Sequence, residues 1–406
     1  MKILVLAHRV PYPADKGEKI RTYHQIKYLV EQGHQLTVLA PLEDDAEQGF
    51  AEALQQKLGI DVITARLGSG FGRKISAVLR GLAVSQSHFF SPALLAQFKQ
   101  LLRTEQPDTV LCTSSAMALY LDRAGLSERA KRDCTLLMDF MDLDSDKWQQ
   151  YARQASIPMR WVYQREARLV ARAERQIYQQ FDRCFFISYN EVTLFSQQLA
   201  DASKVSVLAN GLDTSAFYPA SAPVNATEPV FLFTGVMNYK PNEDAVLWFV
   251  QSMWAQVRQQ YPNARFIIAG MSPSAKIQQL ASQPGVEVTG YVDDILPYYH
   301  QASIFIAPFR LARGVQNKIL QAMACGLPVI TTPMGAEGIA CQPGEHLLTA
   351  QTEAEFLQCI AEVQQNPALR QALQQNGPEL IRQRYSWEGV LQPLQRILAA
   401  KEEASV

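Results

Sequence analysis

The chain has 406 residues, 38 Lys and Arg against 39 Asp and Glu, and a formal net charge of −1. That length asks for two or three domains with sizeable cores, which excludes a small disulfide-stapled scaffold. The charge balance lacks the broad basic excess of a nucleic-acid groove, so no nucleic-acid partner is expected. Six cysteines, at 112, 134, 184, 325, 341 and 359, form no CxxC pair and no metal-ligand spacing. They read as small buried hydrophobes in a reducing compartment.

In chain order, Met1–Ala7 is a short apolar run followed by His8 and Arg9, too short and wrongly flanked for a signal peptide. No uncharged apolar run approaches bilayer-spanning length, so a soluble, cytoplasmic protein is expected. Strands are predicted at 2–7, 36–40, 61–65, 109–113, 135–138, 184–188 and 205–208, most separated by helical periodicity. Such alternation makes parallel βαβ units. Residues 214–229 are rich in Ala, Ser and Pro and read as a linker. Strands then resume near 230–235, 265–270, 286–289, 303–307, 328–332 and 346–349. A last helical stretch, 380–400, carries the stripe Trp387, Val390, Leu391, Leu394 and Leu398. The expected architecture is two doubly wound α/β domains, 1–222 with 380–406 returning to it, and 223–379.

Parallel sheets bind ligands beyond the carboxyl ends of their strands. In residues 307–333 a strand exit is followed by Arg310, Arg313 and Gly314, then a helix predicted from about Val315 to Cys325. Free N–H groups at its start favour phosphate. Gly314 and Val315 would let a ligand approach the backbone, Arg313 and Lys318 would meet a diphosphate, and Asn317 and Gln321 share a face, with Gln321 a turn deeper toward a ribose. After strand 230–235, Gly235 ends the strand, Lys240 sits in the loop and a helix is expected from Asn242. Gly270, in IAGMSP, and GYVDD at 290–294 would frame a planar base. In the first domain Gly17 precedes a helix beside Lys16, Lys19 and Arg21. Asp139, Asp142, Asp144 and Asp146 follow strand 135–138, and Asp142 is the candidate to orient a hydroxyl or act as base. For each loop an ordinary helix cap or solvated face stands beside the functional reading. The D-x-D-x-D spacing lacks the Gly and Glu of an EF-hand. GSGFGRK, 68–74, places Arg73 where a dinucleotide fingerprint needs Gly, and neither a P-loop nor paired zinc ligands occur.

At the level of motifs the chain resembles a GT-B glycosyltransferase of the family 4 type. VLANGLDTSAFYP (207–219) and LQAMACGLPVITT (320–332) carry most of the likeness, with GHQLTVLA (33–40) and YSWEGVLQPL (385–394). GEKIRTYHQIKYL, MDFMDLDSDKWQQYA and RGVQNKILQAMA resemble a bacterial subgroup of exopolysaccharide and protein-sorting loci. The resemblance implies two Rossmann-like domains facing a central cleft, a C-terminal helix crossing back to the first domain, and a nucleotide-diphosphate sugar as donor without further cofactor or metal. It also implies retaining transfer to a polysaccharide or lipid-linked acceptor. The family's E-x7-E pair falls on Arg313 and Gln321, so the donor contacts differ. An epimerase of the same fold, or a non-catalytic relative that binds a partner transferase, are the alternatives. Because such acceptors are often lipid-linked, two segments are candidates for peripheral contact with the inner membrane: 71–83, with Arg73, Lys74 and Arg80 beside Ile75, Val78, Leu79 and Leu82, and the Arg-rich 160–183. Surface helices packing inward are the alternative for both.

Overall fold

The computed structural model describes residues 1–15, 17–70, 72, 77, 79–125, 134–221, 228–311 and 315–405. Arg313, Gly314, Lys16 and, within the amphipathic segment 71–83, residues 71, 73–76 and 78 therefore lie outside the described residues. The chain divides into two compact units, Met1–Asn210 with Val390–Val406, and Gly211–Gly389.

The first unit is built on seven parallel strands: β1 (Lys2–Leu6), β2 (Gln35–Leu42), β3 (Asp61–Arg66), β4 (Thr109–Thr113), β5 (Thr135–Met141), β6 (Arg183–Phe186) and β7 (Val205–Val207). They lie in the order β3-β2-β1-β4-β5-β6-β7. Helices cover the sheet, so its central strands are buried on both faces: Ile3 to Leu6, Val110 to Cys112 and Leu136 to Met138 all enter the core. α1 (Gly17–Glu31) follows β1. The expected stripe of Ile20, Tyr23, Ile26 and Val30 is rotated in the structure, because Lys19, Arg21, Thr22 and Gln25 are buried with Tyr23 and Ile26. α2 (Asp144–Gln154) and α3 (Met159–Gln180) form a helical hairpin after β5.

The second unit has six parallel strands: β8 (Val230–Thr234), β9 (Arg265–Ala269), β10 (Val286–Gly290), β11 (Ile304–Ala307), β12 (Val329–Thr331) and β13 (Leu348–Thr349). Their order is β10-β9-β8-β11-β12-β13, again a doubly wound arrangement with the switch between β8 and β11. Its functional helices are α4 (Lys240–Ser252) and α5 (Asn317–Ala324). α4 begins at Lys240 rather than Asn242, since Pro241 fits the first turn, where no N–H is needed.

The division at Asn210/Gly211 falls before the expected linker, and only 222–227 of that linker lie outside the described residues. Residues 211–221 belong to the second unit because they dock there. Leu212 bridges to Ser386, Phe217 packs edge-on against Tyr299 at 5.8 Å, and Tyr218 packs on His300 at 5.2 Å. Gly211 sits so close to Trp387 that a Cβ would lie 2.6 Å from its ring. The C-terminal stretch is two helices, α6 (Pro367–Arg384) and α7 (Trp387–Ser405), broken at Tyr385 and Ser386. From Val390 onward α7 belongs to the first unit, where Gln395 meets His34 at 3.0 Å. The stripe from Trp387 to Leu398 is buried throughout. No helix among the described residues is long and apolar enough to cross a membrane, and no described Cys is disulfide-bonded.

Candidate functional site

In the second unit, β8 and β9 run out side by side, and the ladder continues past them. Gly235 N–H donates to Ala269 O at 3.0 Å and Met237 N–H to Met271 O at 2.9 Å. Gly270, at φ 142°, approaches Gly235 so closely that a Cβ would stand 1.9 Å from the Gly235 carbonyl oxygen. Gly270 is thus required by the backbone of Gly235. The space over Gly235 is filled by Lys318 Nζ and Asn242 Nδ2, each 2.7 Å from where its Cβ would be.

Lys318 is the centre of this arrangement. Its Nζ donates to Asn242 Oδ1 at 2.5 Å and lies 4.8 Å and 5.3 Å from the ring centroids of Phe233 and Phe309. Burial lowers its pKa to about 7, because desolvation disfavours the charged form. Asn242 is in turn oriented by its donation to Val236 O at 2.9 Å. One turn along α5, Gln321 Oε1 accepts from the Tyr299 hydroxyl at 3.0 Å, and that hydroxyl lies 2.8 Å from Thr234 Oγ1. With its carbonyl satisfied inside the unit, Gln321 keeps its amide N–H groups for a ligand.

The start of α5 has no side-chain cap and no acid in its first turn. Val315 and Asn317, just before and at that start, are exposed. Their position leaves the first amides of α5 accessible to an anion. Lys240 is exposed at the start of α4, two residues before the Asn242 that holds Lys318. Arg310 is committed elsewhere: its guanidinium forks onto Asp244, at 3.0 Å and 2.6 Å, and stacks 5.0 Å over Trp248. The structure thus brings Gly235, Gly270, Lys318, Gln321 and the starts of α4 and α5 to one edge of the sheet.

The first unit differs from expectation at its strand ends. Arg21, read as a cation of the β1 loop, is buried and forks onto Asp139, Nε to Oδ2 at 2.7 Å and Nη2 to Oδ1 at 2.9 Å. Gln25 donates to the same carboxylate at 2.6 Å, and Met141 N–H at 3.2 Å. The remaining Arg21 nitrogen donates to Asn210 Oδ1 at 2.9 Å and Ala209 O at 3.2 Å. Three motif segments, GEKIR, MDF and the Ala209–Asn210 pair, therefore meet around Arg21 in a lock that fixes α1, β5 and the end of the unit. Lys19 is likewise buried, 6.0 Å from the Phe50 ring. Gly17 opens α1 with no protein atom within 4 Å of its Cβ position, so neither φ nor packing within the chain requires glycine there.

Asp142 is exposed at the end of β5. Beneath it three carboxyls are shielded. Burial raises Asp144 to about 6 and Glu174 to about 7, although Glu174 accepts from Ser145 N–H at 3.0 Å. Glu191 is raised by burial as well, against its bonds from Leu143 and Ser188. Reading the sequence missed His8 and the Arg21 lock. His8, at the carboxyl end of β1, is buried, and burial with Arg9 beside it lowers its pKa to about 4. Its ring meets Phe89 edge-on at 5.3 Å and its Nδ1 is buried without a partner among the described residues. Ser114 (φ 76°) and Met141 (φ 65°), at the neighbouring ends of β4 and β5, are held in left-handed conformations, the kind of strain that persists where surroundings over-determine it. Arg21 and Gln25 are four apart on a helix face that also carries apolar residues, the one signal that pointed inward.

Two cavities of about 800 Å³ occur among the described residues. One is at the amino ends of β1–β3, lined by Lys2, Gln35 and Asp61, and one along α2 and α3. No group of three or more possible metal ligands occurs among the described residues.

Two family models match the chain: a glycosyl transferase 4-like domain over residues 16–211 and glycosyl transferases group 1 over residues 228–366. An uncharacterized 44.6 kDa protein in the cps region of Klebsiella pneumoniae is 21% identical over 399 residues, covering 95% of this chain and 96% of that one. Among solved structures, HepE of Anabaena in complex with UDP has a TM-score of 0.62 at 16% identity, covering 98% of this chain and 100% of its own. Sucrose-phosphate synthase of Thermosynechococcus elongatus has a TM-score of 0.57 at 17% identity, with both chains covered completely. A lipopolysaccharide outer core galactosyltransferase, WaaB, has a TM-score of 0.58 at 14% identity over 99% of this chain and 100% of its own.

Proposed function

Since the chain belongs to the glycosyltransferases, with a 4-like domain and a group 1 domain in series on the GT-B fold, we propose that it moves a hexosyl-type sugar from a nucleoside-diphosphate donor to a cell-surface glycan acceptor. The observation that carries this reading is Lys318, half-buried and with a lowered pKa of about 7, against Gly235 and Asn242 beside the uncapped start of α5. A diphosphate arriving there would supply the counter-charge that the protein withholds. UDP is the base to try first, because the Anabaena relative was solved with UDP and with UDP-glucose. The glycan class follows from the cps-region relative and the outer core galactosyltransferase.

In this mechanism the leaving diphosphate is stabilised by Lys318, Lys240, Arg313 and the amides of Val315 and Asn317, with positive groups standing where other transferases place a metal. Gly235, Gly270 and Gly314 keep backbone at the donor. Gln321 donates to ribose hydroxyls, where a carboxylate would accept charge-assisted bonds instead. On the acceptor side, Asp142 orients the hydroxyl and Gly17 admits the acceptor close to the backbone. The acceptor hydroxyl attacks from the face the nucleotide leaves: its oxygen bonds the anomeric carbon as the bond to the diphosphate oxygen breaks, its proton passes to that oxygen, and the configuration is retained.

The test is calorimetry and thermal shift with UDP, GDP, ADP and their sugars, without and with EDTA, followed by transfer from labelled UDP-sugar to acceptor lipid or glycan extracts. A ligand at about 100 times its Kd should stabilise the fold by about 2.7 kcal/mol. Absence of binding by every nucleotide overturns the reading. Binding without transfer to any acceptor assigns the chain to the non-catalytic alternative, and isomerised sugar without acceptor to an epimerase.

A further inference from the structure

The helical hairpin of the first unit ends in a tip that its own unit does not cover. Along α3 the buried stripe of Glu166, Val170, Glu174 and Tyr178 is regular, yet one turn earlier on the same stripe Val162 is 53% exposed. The helix therefore runs past the body of the unit. At its projecting end Ile157 and Trp161 are each 63% exposed, and Met159 and Tyr151 are 45% exposed. Large apolar side chains exposed together, as these are, mark a surface that meets something.

The tip is stiffened from behind. Trp148, Tyr151 and Tyr163 form a three-ring cluster with centroids 5.6 to 6.1 Å apart, joining α2 to α3. The sequence from Trp148 to Arg165 holds three arginines and no acidic residue. Arg153 and Arg160 are exposed and form no ion pair with a described residue. The other sequence segment with this character joins the same side: Arg165 donates to Leu82 O at 3.5 Å, and Glu166 accepts from the Ser85 N–H and hydroxyl, each at 2.7 Å. There Leu79, the most exposed large hydrophobic among the described residues at 82%, stands with exposed Arg80.

We propose that the tip of this hairpin, with Leu79 and Arg80 beside it, docks on an anionic lipid bilayer. Trp161, Ile157 and Met159 enter the headgroup boundary and the arginines meet lipid phosphates. The chemistry selects this partner: Trp and Tyr at a rim of arginine, with no acid among them, match the amphipathic character of a membrane interface, and the charge is opposite to that of anionic headgroups. The cavity along α2 and α3 takes in Arg153 but none of Ile157, Met159 and Trp161, so the apolar tip stands outside the concave surface of the hairpin found among the described residues. The inference stands on this surface alone and does not depend on the proposed transfer reaction.

The experiment is flotation of the full chain with equimolar phosphatidylglycerol–phosphatidylcholine vesicles, against phosphatidylcholine alone, at low and high salt. The chain should float with the anionic vesicles at low salt and lose most of that binding at high salt. Arg153→Gln and Arg160→Gln should each weaken it about fivefold at low salt. Ile157→Glu with Trp161→Glu should weaken it at least about tenfold, and thermal melts identical to the parent's will show that these exposed substitutions leave the fold intact. Failure to float with anionic vesicles, or undiminished flotation of the Ile157→Glu/Trp161→Glu variant, overturns the proposal. A concentration-dependent dimer in sedimentation that this variant abolishes, without vesicle binding, would assign the surface to a second copy instead. Flotation uses neither donor nor acceptor, so its outcome is separate from that of the transfer assays.

Discussion

Placing a diphosphate against Lys318 should take up a proton, and the pH dependence of affinity measures it. With a pKa of about 7 in the free protein, Lys318 is half charged at pH 7 and roughly one per cent charged at pH 9. A bound dianionic phosphate beside Nζ would hold the ammonium charged throughout that range. The free energy of charging the lysine is then drawn from binding, so affinity for UDP should fall as pH rises through 7. The expected ratio of Kd at pH 9 to that at pH 7 is roughly 50, from the change in the protonated fraction alone. The phosphate's own last ionisation, near ~6, is complete over this window. Calorimetry at pH 7, 8 and 9, in buffers of different ionisation enthalpy, reads both the slope and the proton taken up. Lys318→Met keeps the apolar stem over Phe233 and Phe309, and should bind UDP weakly with no slope. The same substitution has a signature in the free protein. The folded state binds fewer protons than the unfolded state between about 7 and the free lysine value of 10.5. Stability of the parent should therefore rise with pH across that window, and the rise should vanish in Lys318→Met. An affinity that is flat from pH 7 to 9, or a slope that survives in Lys318→Met, would refute the assignment of the diphosphate to this lysine.

Breaking the Asp139 lock by Arg21→Ala should cost about 3–5 kcal/mol in urea denaturation, since it leaves a buried carboxylate without its ion pair. Gly270→Ala should lower both Tm and UDP binding, because its Cβ would stand 1.9 Å from the Gly235 carbonyl. Gly17→Ala should leave Tm within about a degree or two, having open space and an ordinary φ, so any loss of transfer activity there reports contact with the acceptor. Glu174 binds its proton more tightly in the folded state, at about 7 against 4.5. Stability should fall as pH rises between those values, and Glu174→Gln should remove the fall, gaining on the order of 2–3 kcal/mol at pH 8 by chemical denaturation.

The period of the sequence determined the sheets. Every strand expected from the sequence is present, and for the central ones the reason is that a strand buried on both faces must be continuously apolar over a short span, a pattern that survives any tertiary arrangement. The motifs at 207–219 and 320–332 likewise carried the family, and the stripe of α7 its burial. What the sequence could not decide was how charged residues are used. Arg21 and Arg310 look on paper like Lys318, a cation near a helix start. Packing gives Arg21 to Asp139 and Arg310 to Asp244, and sets half-buried Lys318 beside an amide and two phenyl faces, with no carboxylate paired to it among the described residues. Gly235 and Gly270 were legible as special but not why, since Gly270 must avoid the Gly235 carbonyl at the neighbouring strand exit and Gly235 the side chains of Asn242 and Lys318. The bonds that separate a structural cation from a ligand-binding one span tens to more than a hundred residues of chain, and only the folded arrangement forms them.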